Sequence, residues 1–406
     1  MILYLCKKIC VADIKNLNWR FFMRNNDKKG SDISRRDFLK LAALGTAAGL
    51  SSLLPHGAAE AAEGESGSAS ASQLHGLAAD SVSNLEILPP GEKIRYDIID
   101  SHLHYLDFLE KTDGFPALCR AMDLSGVSKS VIFGMSIAKQ WDSTMPEPPA
   151  YYLSNDSRCY YYSATDYILA EELLAQPREI RERFYPFCCG FNCNDRFAAD
   201  HVERLLRLYP GFWHGIGEIM SRHDDLTALT YGEPPHMDGG GFLGIYDLAA
   251  AEGLPVLVHH NITAQNMERV IYLDELKRAL AYNRDCKIIW AHIGISRRVE
   301  IKGLTKIADE LLSENKNLWV DISWLVYDYY FLDLFPDNYL DGDNLDDWAR
   351  LIERHPDRFM IGTDKVGHWK TYPNEVVKYY SLLDKLKPKT VDMICRENIM
   401  SLLKFY

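Results

Sequence analysis

Eight short apolar runs recur along the chain, and longer segments with a helical spacing of apolar residues lie between them. The runs are YDIIDSHLH (96–104), KSVIFGM (129–135), RFYPFCCGF (183–191), FWHGIGEIM (212–220), LPVLVHH (254–260), KIIWAHIG (287–294), NLWVDISW (317–324) and RFMIGTD (358–364). Continuous β-branched and aromatic runs of this length read as strands buried on both faces. FAADHVERLLRLY (197–209) and NMERVIYLDELKRALAYN (266–283) carry apolar residues three and four apart and are expected to be helices. Strand and helix alternating eight times predicts one (β/α)8 barrel of the TIM type over residues 94–406. A doubly wound sheet is the competing fold, but no Gly-rich phosphate turn follows the first run. No repeat at a solenoid period is present.

Composition narrows the classes. The 406 residues are 47% hydrophobic and 25% charged, with a formal net charge of −12. This suits a globular chain with a large core and argues against a nucleic-acid partner, which would need clustered Lys and Arg. Nine Cys with no CxxC pair give no sign of a disulfide framework. The charge is divided unevenly, with +6 on residues 1–40 and −18 on the rest. Residues 34–40 read SRRDFLK, an apolar stretch LAALGTAAGLSSLL follows, and small residues come after it. A basic start, a short apolar middle and small residues at a cleavage point are the layout of a secretory signal. The Arg35-Arg36 pair makes it resemble a twin-arginine signal. That implies passage through the twin-arginine export machinery, a periplasmic or otherwise exported location, and export of an already folded protein, so that a metal could be loaded beforehand. The apolar stretch is too short for a stable membrane span. Met23 is the expected start, which makes residues 1–22 an extension, 23–60 the cleaved signal and 61–93 a flexible linker.

The polar residues of the body fall where the apolar runs end. The first run closes on His102 and His104, the fourth on Glu218, the fifth on His259 and His260, the sixth on His292 and the eighth on Asp364. In a (β/α)8 barrel the C-terminal strand ends build the site. Strand side chains alternate, so His102 and His104 share a face and can meet one ion. Imidazole and carboxylate are the usual ligands of a catalytic zinc.

The motifs DSHLH, GIGEI, LPVLVHH, IIWAHIG and IGTD, in this order, resemble the metal-dependent amidohydrolase superfamily, in its amidohydrolase-related (type 2) branch. The closing RENIMSLLKFY resembles the terminal helix of that branch. The resemblance implies a divalent metal, expected to be Zn2+, as one or two ions. It implies that His102, His104 and His259 bind metal and that Asp364 binds metal and carries protons. It implies that His292 binds a second metal or acts on the substrate. Many relatives have a carbamylated Lys where this chain has Glu218, whose carboxylate could bridge two ions or stand behind the ligands.

Other candidates carry competing readings. His260 points opposite to His259 by strand alternation and reads as core or support. Cys188, Cys189 and Cys193 read as core packing. Arg222 and Arg298, with Arg297 beside the latter, are candidates to clamp a substrate carboxylate, against a solvated helix start. His223 and His236 read as surface residues. The Tyr-rich segments 151–166 and 324–340 read as a lid or as shielding of the barrel top. The expected function is hydrolysis of an amide, ester or lactone of a small molecule. The alternative is non-oxidative decarboxylation of a small acid, and the third reading is a non-catalytic periplasmic binding protein. Oligomerisation is left open.

The export reading gives a direct test. Arg35→Lys with Arg36→Lys should leave the precursor in the cytoplasm, as followed by cell fractionation and precursor size. A double variant that is still exported and processed rules the twin-arginine route out.

Overall fold

The computed structural model describes Leu88 and residues 92–141, 144–154, 157–299, 301–324, 326 and 344–406. The expected extension, signal and most of the linker lie outside the described residues, as does most of the 324–340 segment. Twelve strands are described: β1 (Ile98–Asp100), β2 (Leu103–His104), β3 (Val127–Ile132), β4 (Ala138–Lys139), β5 (Cys159–Tyr160), β6 (Phe184–Cys188), β7 (Gly215–Met220), β8 (Val256–His259), β9 (Ile288–Ala291), β10 (Leu318–Asp321), β11 (Phe359–Met360) and β12 (Lys365–Val366). Eight of them form one parallel sheet in the order β1-β3-β6-β7-β8-β9-β10-β11. Each strand therefore pairs with the next barrel strand in sequence, which is the (β/α)8 arrangement.

Helices fill the crossovers: α1 (Phe115–Ser125), α2 (Thr165–Leu174), α3 (Ala198–Leu208), α4 (Gly240–Glu252), α5 (Leu273–Tyr282), α6 (Leu304–Glu314) and α7 (Leu345–Arg354). Their apolar stripes face the sheet. α3 buries Ala198, Val202 and Leu205, and α5 buries Leu276, Ala279 and Leu280. α7 starts in a capping box, with Asn344 and Asp347 satisfying each other's backbone N–H groups. The helix expected over 266–283 begins only at Leu273. Its first part is drawn back onto the end of β8, where the Ile262 carbonyl accepts the Ile271 and Tyr272 N–H groups and the Tyr272 carbonyl pairs with His260 Nε2. Backbone groups used in this way are lost to a helix.

Closure of the barrel takes place past the ends of β1 and β11. Ser101 N–H donates to Ile361, Asp364 N–H to His102, and Gly367 N–H to His104. β12 then pairs in parallel with β2, with Lys365 beside Leu103 and Val366 beside His104. Gly362 permits the approach, since a Cβ there would lie 2.5 Å from His102 Cβ. Asp100 pins this seam from inside. Its fully buried carboxylate accepts the backbone N–H groups of His102 and Thr363, both at 3.0 Å. It also accepts the Thr363 hydroxyl at 2.7 Å and the Tyr372 hydroxyl at 2.8 Å.

This arrangement predicts a large stability effect from one carboxylate. Asp100→Ala leaves buried donors without an acceptor and should cost at least about 3 kcal/mol, against about 1–2 kcal/mol for Tyr372→Phe. Urea midpoints of both variants test this, and an Asp100→Ala barrel as stable as wild type would show that the seam closes without it.

Candidate metal centre at the barrel mouth

The strand ends bring the expected residues together. His102, His104, Glu218, His259 and His292 are all at most 3% exposed, and Asp364 opens slightly further, at 13% of its side chain. Glu218 occupies the centre. Its Oε2 lies 3.3 Å from His104 Nε2 and 3.8 Å from His102 Nε2. Its Oε1 lies 3.1 Å from His259 Nδ1 and 3.2 Å from His292 Nε2. Asp364 Oδ1 stands 3.2 Å from His104 Nε2 and 3.4 Å from His102 Nε2, and its Oδ2 is 3.9 Å from His292 Nε2. One carboxylate thus faces two pairs of imidazoles, one pair through each oxygen.

The far side of each imidazole is held. His102 Nδ1–H donates to Asp321 at 3.0 Å, and His104 Nδ1–H to the Gly134 carbonyl at 2.7 Å. His292 Nδ1 meets the Ser323 hydroxyl at 2.7 Å, and Ser323 in turn donates its proton to Asp321. The Ser323 oxygen is therefore the acceptor, and His292 carries its proton on Nδ1. The Nε2 lone pairs of all three rings turn inward, the tautomer that a metal requires. His259 presents Nδ1 instead, since its Nε2 pairs with Asn261 at 2.9 Å.

The electrostatics are those of a cation site. Burial opposes charging of His102, but the Asp321 and Glu218 carboxylates hold its pKa well above the usual value. Against the same opposition, Asp364 and Glu218 lift His104 to about 9. Burial raises the Glu218 and Asp364 carboxyls, yet the facing imidazoles hold both low, His102 being the strongest influence on each. His102 Nε2 is buried with no hydrogen-bond partner among the described residues. An orphaned buried nitrogen aimed at two carboxylates fits a divalent ion. Two donor sets lie within ligating reach, His102, His104 and Asp364 in one, and His102, Glu218 and His292 in the other. His102, His104, Glu218, His259, His292 and Asp364 would hold the ion or ions.

The remaining candidates are placed as follows. His260 lies in the wall, between the Ser221 hydroxyl and the Tyr272 carbonyl, and burial holds its pKa down to about 4. Cys188, Cys189 and Cys193 are buried in the core. Arg222 pairs with Glu275 at 2.7 Å and lies over the Tyr272 ring, away from the central carboxylates. Arg297 and Arg298 both reach Asp225, from which Arg297 spans Tyr152. His236 is an exposed neighbour of Arg222 and Glu275. His223, expected at the surface, is half-buried, with its ring centroid 4.7 Å from that of His259 and 6.1 Å from that of Trp324. Asp321 and Ser323 were not among the expected residues, although WVDIS ends a strand as the other motifs do. Tyr152 is buried against Phe108 with its ring edge toward His223, and the antiparallel β4–β5 pair ties this segment down.

No family model matches the chain, and no curated protein does. Among solved structures it is similar to a protein described as a 2-pyrone-4,6-dicarboxylic acid hydrolase from Acinetobacter baumannii (12% identity, 76% of this chain and 99% of that one, TM-score 0.47). It is also similar to a dihydroorotase from Campylobacter jejuni (15% identity, 76% and 84%, TM-score 0.45) and to a 5-carboxyvanillate decarboxylase from Sphingomonas paucimobilis (12% identity, 77% and 100%, TM-score 0.45). Likeness at this level says nothing of this chain's reaction.

Metal content separates the roles. Asp321→Asn should weaken divalent-metal affinity by about 10–100-fold, because it releases the ring orientation of His102. If Glu218 bridges two ions, Glu218→Gln should lose one of two equivalents by elemental analysis. A wild type with one ion that Glu218→Gln retains would remove Glu218 from the bridging role.

Proposed function

We propose that the chain is a metal-dependent hydrolase of the amidohydrolase superfamily, cleaving an amide, ester or lactone of a small molecule. The observation that supports this is the placement of Glu218, each of whose oxygens faces a separate pair of imidazoles. Glu218 and these imidazoles would hold one or two ions, which would supply the chemistry for water attack. When bound, the metal supplies Lewis acidity and makes water more acidic.

The chain's own residues have separable duties. Asp364 holds its carboxylate free of protons and opens toward the mouth. It accepts the proton of the attacking water and passes it to the leaving group. His292 has its N–H turned to Ser323, so its Nε2 serves as a ligand rather than a donor. Burial of the centre keeps bulk water away from the charges it organises. The same proposal places the enzyme in the periplasm, reached by the twin-arginine route.

The test is a panel of esters, lactones, amides and aromatic acids offered to the metal-titrated protein. Turnover of an ester, lactone or amide supports hydrolysis, whereas CO2 release from an acid with no hydrolysis replaces it by decarboxylation. Binding without turnover leaves the non-catalytic reading. Asp364→Asn should keep most of its metal and lose turnover by about 10²–10⁴-fold. A metal-loaded Asp364→Asn variant as fast as wild type shows that another group carries the proton.

A further inference from the structure

Carbonyl hydrolysis is speeded by a fixed hydrogen-bond donor at the oxygen that becomes negative, in addition to any Lewis acid. His292 is poorly placed for this, since its proton is on the side of Ser323. The neighbouring imidazole, His223, has the opposite arrangement. It follows β7, at the end of the barrel where the other site residues gather. Its Nδ1 accepts the backbone N–H groups of Asp225 at 3.0 Å and Leu226 at 3.1 Å. A nitrogen that accepts two N–H groups cannot carry a proton, so the neutral ring bears its hydrogen on Nε2. No described residue takes that hydrogen, and His223 is half-buried rather than sealed in the core. The loop is rigidly tied: Thr227 Oγ1 bonds both the N–H and the carbonyl of His223. The ring faces His259 on one side and Trp324 and Tyr152 across the mouth.

We infer that His223 is the oxyanion donor of this site: its Nε2–H holds the substrate carbonyl oxygen as negative charge builds there during water attack. The inference rests on the hydrolase reading and deepens it. A fixed neutral donor costs no rearrangement at the moment of reaction. It also selects a carbonyl whose oxygen can lie over His259, between aromatic walls.

Two substitutions separate this role from support of the loop. His223→Asn keeps an oxygen able to accept the same two backbone N–H groups, in the side-chain turn that Asn favours, but has no group at the position of Nε2. His223→Ala removes both functions. In the metal-loaded enzyme, His223→Asn should melt like wild type, hold the same metal, and lose about 10²–10³-fold in kcat with little change in KM. His223→Ala should lose stability as well. A structural role alone predicts that the Asn variant keeps full activity, and that result overturns the inference.

A second measurement does not depend on turnover. Phenylphosphonate, an oxyanion probe, should bind wild type more tightly than His223→Asn by calorimetry. It should also shift the 15N signal of the His223 Nε2–H in histidine-labelled protein. A probe that fails to bind, binds both proteins equally, or leaves that signal unmoved overturns the inference. If the probe engages His223 while no ester, lactone or amide is turned over, the donor stands and the hydrolase reading falls.

Discussion

The site depends on the seam where the barrel closes. β1 and β11 carry few residues, and the sheet could stay open at that edge. Asp100 prevents this by collecting donors from both sides of the gap, His102 from the first strand and Thr363 from the last. The same contacts fix the phase of the two strands, so that His102 and His104 emerge beside Asp364. The contacts that close the barrel also bring this cluster of side chains together. The carboxylate is fully buried, and burial lifts its pKa to about 6 despite the donors. Charge in this position is opposed by desolvation, and the donors around it offset that cost.

A second buried carboxylate does for the centre what Asp100 does for the seam. Asp321 receives the N–H of His102, the backbone N–H groups of His292 and Ser323, and the Ser323 hydroxyl. It thereby sets the tautomers of two imidazoles on different strands. Carboxylates and imidazoles packed this closely in a medium of low dielectric need a balance of charge. The carboxylates facing His102 and His104 hold both rings basic against their burial. A divalent cation held by the inward-facing Nε2 atoms would supply the same balance.

Much of this was legible in the sequence because the interior of a parallel barrel is apolar. A His or Glu at the end of such a run stands out, and the alternation of faces separated His259 from His260 correctly. Asp321 was harder to read. It lies in an alternating WVDIS run, where a lone Asp resembles an ordinary strand terminus, and its importance comes from His102, more than 200 residues away in sequence. His223 was misread for a related reason. The SRHDD segment (221–225) is polar throughout, as a surface loop would be, yet its polar groups turn inward on one another. Arg297 and Arg298 are drawn to Asp225 in that loop. Helix α5 starts late because Ile262 and Tyr272 use their backbone groups around His260, a long-range demand that local periodicity does not carry.

The backbone at three strand ends leaves the ordinary strand conformation. His292, Trp324 and Asp364 have φ of 53°, 58° and 54°, and Ile293 has 50°. Left-handed residues of this kind cost about 1–3 kcal/mol each when they are not glycine, and a β-branched Ile is among the least suited. Each turn redirects a side chain at the end of a strand: His292 and Asp364 toward Glu218 and its imidazoles, and Trp324 over His259 and His292. Glycine would relieve the strain but would remove the functional group. Asp and Asn tolerate this region better than most residues. At position 364, then, the residue type that can donate oxygen to a cation and take up a proton is also one that the backbone accepts, and exchange for Asn alters the chemistry with little change in the turn.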